Sequence, residues 1–123
     1  MNDKTVVVTG ANQGIGRVTA KELARMGARV ALVCRNAEKG QAVVREIEAQ
    51  GGAAHLVVAD LSIQDEVRKA GRELREKYET IDVLVNNAGV LVTERRVTKD
   101  GIEETLALNH LAYFLLTHEL LEP

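Results

Sequence analysis

Short apolar runs alternate along the chain with longer segments in which apolar residues recur at a helical period. The four runs are rich in β-branched residues and cover positions 5–8, 30–33, 56–59 and 81–85. None of them alternates strictly between apolar and polar positions. The pattern therefore predicts strands that are covered on both faces, as in a parallel sheet between two layers of helices.

A predicted helix follows each of the first three strands. The first helix, about 15–26, ends at Gly27. It is expected to turn its large apolar side chains inward: Ile15, Val18, Leu23 and Met26. The second begins after Asn36 as its N-cap and ends at Gly51-Gly52, and the third begins after Ser62 as its N-cap.

The fourth predicted helix begins with the capping-box-like sequence Asp100-Gly101-Ile102-Glu103 and runs to about Leu121. Its apolar residues surround most of the helix circumference, so a single sheet cannot bury them all. Part of this helix is therefore expected to pack against another subunit.

Because strands and helices alternate without a linker, residues 1–123 are predicted to form a single α/β domain. Right-handed crossovers predict a doubly wound, Rossmann-like parallel sheet with strand order 3-2-1-4 and helices on both faces. Ligands bind such sheets at the switch point, here between the first and fourth strands. The fourth strand would lie at an exposed edge, which is a second candidate surface for a homodimer or a domain-swapped assembly.

The sequence Thr-Gly-Ala-Asn-Gln-Gly-Ile-Gly at positions 9–16 joins the first strand to the first helix. Gly10 would permit the tight turn, Gly14 the close approach of a diphosphate to backbone amides, and Gly16 the packing of the helix on the strand. The spacing is wider at its first gap than the dinucleotide fingerprint G-x-G-x-x-G. The segment predicts a site for the diphosphate of a dinucleotide.

Polar residues follow the other three strands. Arg35 stands where an acidic residue would bind the ribose 2′-hydroxyl of NAD. A guanidinium binds phosphate instead, so NADP is predicted over NAD, although a merely solvated Arg35 would fit the same place. Asp60 could bind the adenine amino group or cap the next turn. A cofactor ribose could lie against Asn86-Asn87-Ala88-Gly89.

Composition narrows the class of partner. The formal net charge is -2 with both signs interspersed, which gives no basic surface for nucleic acid or an anionic membrane. The single cysteine, Cys34, excludes an internal disulfide, and the sequence has no zinc-type cysteine spacing, signal peptide or membrane span. We therefore expect a cytoplasmic protein with no nucleic-acid, membrane or metal partner.

The glycine turn, Asp60-Leu61, Asn86 to Gly89 and Asn109 occur in the order and at the spacing of the short-chain dehydrogenase/reductase family, which the whole chain resembles. Segments 34–40 and 108–111 are similar to its retinol-dehydrogenase-like, NADP-preferring branch. The resemblance implies an NADP cofactor and, at Asn109, the asparagine of the catalytic group. It also implies cofactor contacts at these positions: Gly10, Asn12, Gly14, Ile15, Arg35, Asp60, Leu61, Asn87 and Gly89.

Enzymes of that family use a tyrosine, a lysine four residues later that lowers the tyrosine pKa, and a serine that orients the substrate. At that distance Asp82 follows Tyr78 and Thr117 follows Tyr113, so neither tyrosine has the lysine and both are expected to be packing residues. The histidines are interpreted as ordinary polar residues: His55, His110 and His118.

The resemblance then implies a truncated or engineered NADP(H)-binding half that does not transfer hydride alone. Two alternatives stay open. One is an active NADP-dependent oxidoreductase on a carbonyl or alcohol, completed by a partner chain or by water. The other is a structural scaffold without affinity for a ligand.

Overall fold

The computed structural model describes residues 1–89 and 94–121. Strands and helices alternate in the following order: β1 (Thr5–Thr9), α1 (Gly14–Arg25), β2 (Arg29–Cys34), α2 (Ala37–Ala49), β3 (Ala53–Val58), α3 (Gln64–Lys77) and β4 (Val83–Val85). The last helical run, 104–121, has three parts: α4 (Glu104–Leu106), a π-helical turn (Ala107–Leu111) and α5 (Ala112–Leu121). The predicted fourth helix is therefore interrupted by a wider turn.

The strands form one parallel sheet in the order β3-β2-β1-β4, which confirms the predicted topology. Val7 in the middle of β1 is level with Ala31 of β2 and Leu84 of β4. The register brings the ends of β1, β2 and β4 to the same edge of the sheet. The loops that follow these strands therefore lie side by side, which is the usual place for a ligand in this type of sheet.

Two apolar cores lie on opposite faces of the sheet, as the absence of strict alternation predicted. On one face, side chains such as Val6 and Leu32 pack with Ile47 of α2. On the other, Val7 and Val33 belong to the core that the helices α3 and α5 complete: Val67, Ala70, Leu74, Ala112 and Leu116. Helices therefore cover both faces, and the sheet is doubly wound.

The face that α1 buries is only partly the predicted one, because Leu23 packs against the core as predicted and the other three predicted residues do not. Its buried residues are Gly16, Ala20 and Ala24, which are spaced four apart along one side of the helix. The predicted inward residues Ile15 and Val18 are instead 79% and 61% exposed, and Met26 is exposed as well. Small side chains occupy the buried face of α1 because they let the helix approach the sheet closely.

Asn36 is the N-cap of α2, as predicted, and its side chain accepts a hydrogen bond from the Lys39 amide at 2.9 Å. The prediction that Ser62 caps α3 is wrong. The α3 amide of Gln64 donates to the carboxylate of Asp100 at 2.9 Å, from a loop distant in sequence. Asp100 therefore serves α3 rather than the helix that follows it.

The last helical run begins later than predicted, at Glu104, because Glu103 is its N-cap. The Glu103 carboxylate accepts hydrogen bonds from the amides of Thr105 and Leu106 at 2.8 and 3.0 Å. These bonds hold the pKa of Glu103 below its usual range. The first turn is thus capped by charge as well as by hydrogen bonds.

Helix α5 is apolar on two sides, as its sequence predicted. Leu116 is buried in the core, whereas Phe114 and Leu121 are 71% and 74% exposed. β4 lies at the edge of the sheet, next to β1. Within the described residues, no helix is long and apolar enough to cross a membrane.

Candidate dinucleotide site

The glycine turn between β1 and α1 adopts a backbone that side chains disfavour. Gly10 and Gly14 have φ angles of +64° and +59°, in the left-handed region. A Cβ atom at Gly10 would lie 2.8 Å from the Cα of Ala88, in the loop after β4. A Cβ atom at Gly16 would collide with the carbonyl oxygen of Gly10. Gly10 therefore closes the turn and Gly16 packs α1 against it, as predicted.

Gly14 differs from these two because the space above it is open. A Cβ atom built there would meet nothing within 4 Å. Gly14 is the first residue of α1, and its N-cap residue Gln13 makes no side-chain hydrogen bond to the helix. The first turn of α1 also holds no acidic residue, unlike that of α3, where Asp65 and Glu66 stand.

An uncapped helix start leaves amide N–H groups without intrahelical acceptors, and these carry the positive end of the helix dipole. An anion such as a diphosphate is the usual partner for such a group of amides. The turn at Gly14 therefore fits a diphosphate in space, in hydrogen-bonding groups and in charge.

Thr9 joins this turn to the loop after β4. Its buried hydroxyl oxygen accepts hydrogen bonds from the amides of Asn87 and Ala88, both at 2.9 Å. The side-chain amide of Asn87 donates in return to the carbonyl oxygens of Thr9 and Gly10, at 3.2 and 3.3 Å. Asn87, predicted to contact the cofactor, thus fixes the glycine turn through its side chain.

The role of Thr9 was not foreseen, although one signal for it exists in the sequence. It is the polar residue that ends an apolar strand directly before the glycine turn. A buried hydroxyl needs hydrogen-bond partners, so its presence there indicates a polar contact across the sheet.

Arg35 lies beside the glycine turn because the Gly10 amide donates to the Val33 carbonyl oxygen at 2.8 Å. The Arg35 side chain is exposed, and no hydrogen bond or ion pair holds its guanidinium within the described residues. Arg17, in the first turn of α1, is by contrast bound to both carboxylate oxygens of Glu46 at 2.6 and 2.8 Å. Among the described residues, the Arg35 guanidinium is therefore available for a phosphate, whereas that of Arg17 is engaged.

Glu46 is held by two cations from α1. The bonds from Arg17 and Lys21 lower the pKa of Glu46 from 4.5 to about 2. The pairs are solvent-exposed to different degrees, so their contribution to stability is small. Their structural effect is to tie α1 to α2 on one face of the sheet.

Asp60 takes the turn-capping role, which is one of the two roles left open for it. Its carboxylate accepts from the amide and the hydroxyl of Ser62 at 3.0 and 2.6 Å. The Asp60 amide donates to Glu66 at 2.8 Å. Leu61 is 6% exposed and belongs to the core, so only its backbone could contact a cofactor. An adenine contact at Asp60 stays a prediction.

Asn109 lies within the π-helical turn, and it faces the loop after β4. A Cβ atom built on Gly89 would lie 3.5 Å from Asn109 Oδ1. π-helical turns inside α-helices occur frequently at functional sites. Four residues further on, the hydroxyl of Tyr113 donates to the carbonyl oxygen of Ala88. Tyr113 was interpreted as a packing residue, and this hydrogen bond was not foreseen.

The predicted residues fall into two groups around the glycine turn. Gly89 and Asn109 lie on the β4 side, with Asn87 between them and the turn. Arg35 and Asp60 follow β2 and β3 on the other side. Asn12 and Ile15 are part of the turn itself, half-buried and exposed respectively.

The histidines and the cysteine, which could in principle bind a metal or act as nucleophiles, lie away from the glycine turn or are unreactive. His55 stands 3.7 Å from Glu73, on the β3 and α3 side. His110 and His118 line an open groove of about 400 Å³ along α5. No group of three or more metal-binding side chains occurs among the described residues. Burial raises the pKa of the Cys34 thiol, which disfavours a reactive thiolate.

Comparison with known proteins places this chain in a family. A family model described as short chain dehydrogenase matches residues 4–123. Retinol dehydrogenase 11 of Homo sapiens is 47% identical over 121 residues, which are 97% of this chain and 38% of that protein. Retinol dehydrogenase 13 of Homo sapiens is 43% identical over 97% of this chain and 37% of that protein.

Solved structures show the same likeness. A metagenomic short-chain oxidoreductase in complex with NADP has a TM-score of 0.88 and 36% identity, over 98% of this chain and 56% of that one. A blue fluorescent protein from a metagenomic library, in complex with NADPH, has a TM-score of 0.84 and 34% identity, over 98% of this chain and 51% of that one. The chain thus spans about two fifths of its curated relatives and about half of these structures.

Proposed function

The chain belongs to the short-chain dehydrogenase family, and we propose that it serves as the NADP(H)-binding half of such an enzyme. The observation that carries this proposal is the start of α1, which has no side-chain cap. Its first residue, Gly14, has a left-handed backbone conformation and open space where a Cβ atom would lie. A diphosphate at that point lies at the switch point between β1 and β4, where dinucleotides bind doubly wound sheets. Solved neighbours in complex with NADP and with NADPH support the cofactor class.

Arg35 is proposed to select NADP over NAD through the 2′-phosphate. Replacing it in Arg35→Ala should weaken NADPH binding by about 1.5 to 3 kcal/mol, the range for hydrogen bonds to a charged group, and should leave NADH binding nearly unchanged. Arg72, an exposed arginine of α3, supplies the matched control Arg72→Ala, which should alter neither affinity.

Calorimetric titration of both cofactors measures these effects. Equal losses of NADPH and NADH affinity in Arg35→Ala would contradict the role of Arg35. Wild-type protein that binds neither cofactor would contradict the proposed function and would favour the structural scaffold instead.

Hydride transfer by these residues alone is not proposed. Burial raises the pKa of both Tyr78 and Tyr113, whereas a tyrosine that exchanges protons near neutral pH needs a lowered pKa. The hydroxyl of Ser62 donates to the Asp60 carboxylate within a turn, so Ser62 is not proposed as the serine that orients a substrate. Oxidation of NADPH should therefore not be detected with a panel of aldehydes and ketones. Turnover that Asn109→Ala abolishes would favour the alternative of an active oxidoreductase.

Self-association and a cytoplasmic location are further proposals. Phe114 and Leu121 present exposed apolar surface on α5, and such surface is typical of an interface. We propose that α5 or the β4 edge mediates a homodimer. Sedimentation at micromolar concentration should show a dimer for the wild type. If α5 forms the contact, the variant Phe114→Glu should sediment as a monomer. A wild-type monomer under these conditions would contradict self-association.

A further inference from the structure

We propose that Tyr113 is a positioning residue for the nicotinamide half of the cofactor, an inference that rests on the proposed function. Tyr113 lies in the first turn of α5, directly after the π-helical turn. Its ring lines the groove along α5, while its hydroxyl donates to the carbonyl oxygen of Ala88 in the loop after β4. A second bond joins α5 to this loop, from the Asn86 side-chain amide to the Thr117 hydroxyl at 3.1 Å, but the bond from Tyr113 is the one that reaches Ala88.

Ala88 is held from three directions. Its amide donates to the Thr9 hydroxyl oxygen at 2.9 Å, and its carbonyl oxygen accepts from Tyr113. Its Cα would lie only 2.8 Å from a Cβ atom at Gly10, so its backbone rests against the glycine turn. Of these contacts, the bond from Tyr113 restrains the carbonyl side, which leads directly into Gly89.

The sheet order decides which half of the cofactor this restraint affects. Arg35 and Asp60 follow β2 and β3, whereas Ala88 and Gly89 follow β4, on the opposite side of β1. With the diphosphate at Gly14 and the 2′-phosphate at Arg35, the adenosine half extends over β2 and β3. The nicotinamide riboside then extends over the loop after β4. Tyr113 therefore acts on the nicotinamide half only.

Loss of the hydroxyl would remove this restraint and leave the packing of the ring in place. Ala88 is 8% exposed, and its carbonyl oxygen would lose the hydrogen bond that ties it to α5. We expect the loop at Ala88 and Gly89 to sample more positions. Binding must then restrict these positions again, which weakens affinity.

The variant Tyr113→Phe tests this inference with two ligands. NADPH carries both halves of the cofactor, and adenosine 2′,5′-bisphosphate carries the adenosine and the 2′-phosphate without the nicotinamide riboside. Tyr113→Phe should weaken NADPH about three- to tenfold, as expected when binding must order one released segment again, and should leave the bisphosphate unchanged. The matched control is Tyr78→Phe, at the end of α3, which should change neither affinity.

Each outcome decides between the possible roles of Tyr113. Unchanged NADPH affinity in Tyr113→Phe would overturn the positioning role. An equal loss of affinity for both ligands would also overturn it, because it would indicate a general structural effect. Wild-type protein that binds neither ligand would overturn the proposed function itself. Amide resonances of Ala88 and Gly89 in the ligand-free protein give an independent readout. They should shift in Tyr113→Phe and not in Tyr78→Phe, and unaltered resonances in Tyr113→Phe would contradict the contact.

Discussion

Gly14→Ala and Gly51→Ala form a matched pair that separates ligand binding from backbone strain. Both glycines begin in the left-handed region, at φ +59° and +84°, and a Cβ atom at either meets nothing within 4 Å. Gly14 starts α1 at the proposed diphosphate site, whereas Gly51 follows α2 on the opposite edge of the sheet. The two substitutions should therefore introduce similar backbone strain, one at the proposed diphosphate site and the other away from it.

The expected magnitudes follow from this geometry. A non-glycine residue in the left-handed region costs about 1–2 kcal/mol, so both variants should unfold at lower denaturant concentration by a similar amount. Only the methyl group at Gly14 enters the open space over the α1 amides. Gly14→Ala should weaken NADPH binding at least tenfold, that is, by about 1.4 kcal/mol or more.

Urea unfolding and calorimetric titration of NADPH measure the two effects separately. Gly51→Ala should bind NADPH like the wild type despite its lower stability. The reasoning is refuted if Gly14→Ala keeps wild-type affinity, or if Gly51→Ala loses as much affinity as Gly14→Ala.

Two further predictions concern stability. Because Arg17 and Lys21 depress the pKa of Glu46 from 4.5 to about 2, the stability that this carboxylate contributes is complete above pH 4.5 and is lost as the pH falls towards 2. Glu46→Gln should therefore flatten the pH dependence of urea unfolding in that window, and an identical pH profile would disprove the linkage. Thr9→Val leaves the buried amide of Ala88 and the partly buried amide of Asn87 without their acceptor and should cost about 1–3 kcal/mol for the first and less for the second, whereas Thr9→Ser should retain most of the stability. Thermal unfolding of the two variants checks this, and equal melting temperatures would count against the hydroxyl contact.

The strand order was predictable because a few local rules determine it. Apolar runs without alternation indicate a buried parallel sheet, and the right-handed crossover leaves few topologies. The glycine turn was also readable, since Gly10 and Gly16 stand where a Cβ atom would meet backbone. The patterns that predict these features, the apolar runs and the glycine spacing, are local in sequence, although the contact of Gly10 with Ala88 is not.

The errors arose where tertiary contacts decide. Hydrophobicity placed Ile15 and Val18 inward, but the close approach of α1 to the sheet selects its small residues instead. Ser62 has the side chain of a good N-cap, yet Asp100 caps α3 from a loop that the sequence does not bring near. The hydroxyl of Tyr113 in α5 reaches Ala88 in the loop after β4, which is 25 residues away in sequence. Helical periodicity cannot report such contacts.

Nuclear magnetic resonance titration of the amide groups with NADPH tests the central claim most directly, because the claim concerns where a diphosphate binds. The amides of residues 14–17 at the start of α1 and of Gly89 after β4 should shift together and saturate, while those around Gly51 should stay unchanged. Amides at the start of α1 that do not move at saturating NADPH, or shifts confined to the groove along α5, would contradict the account.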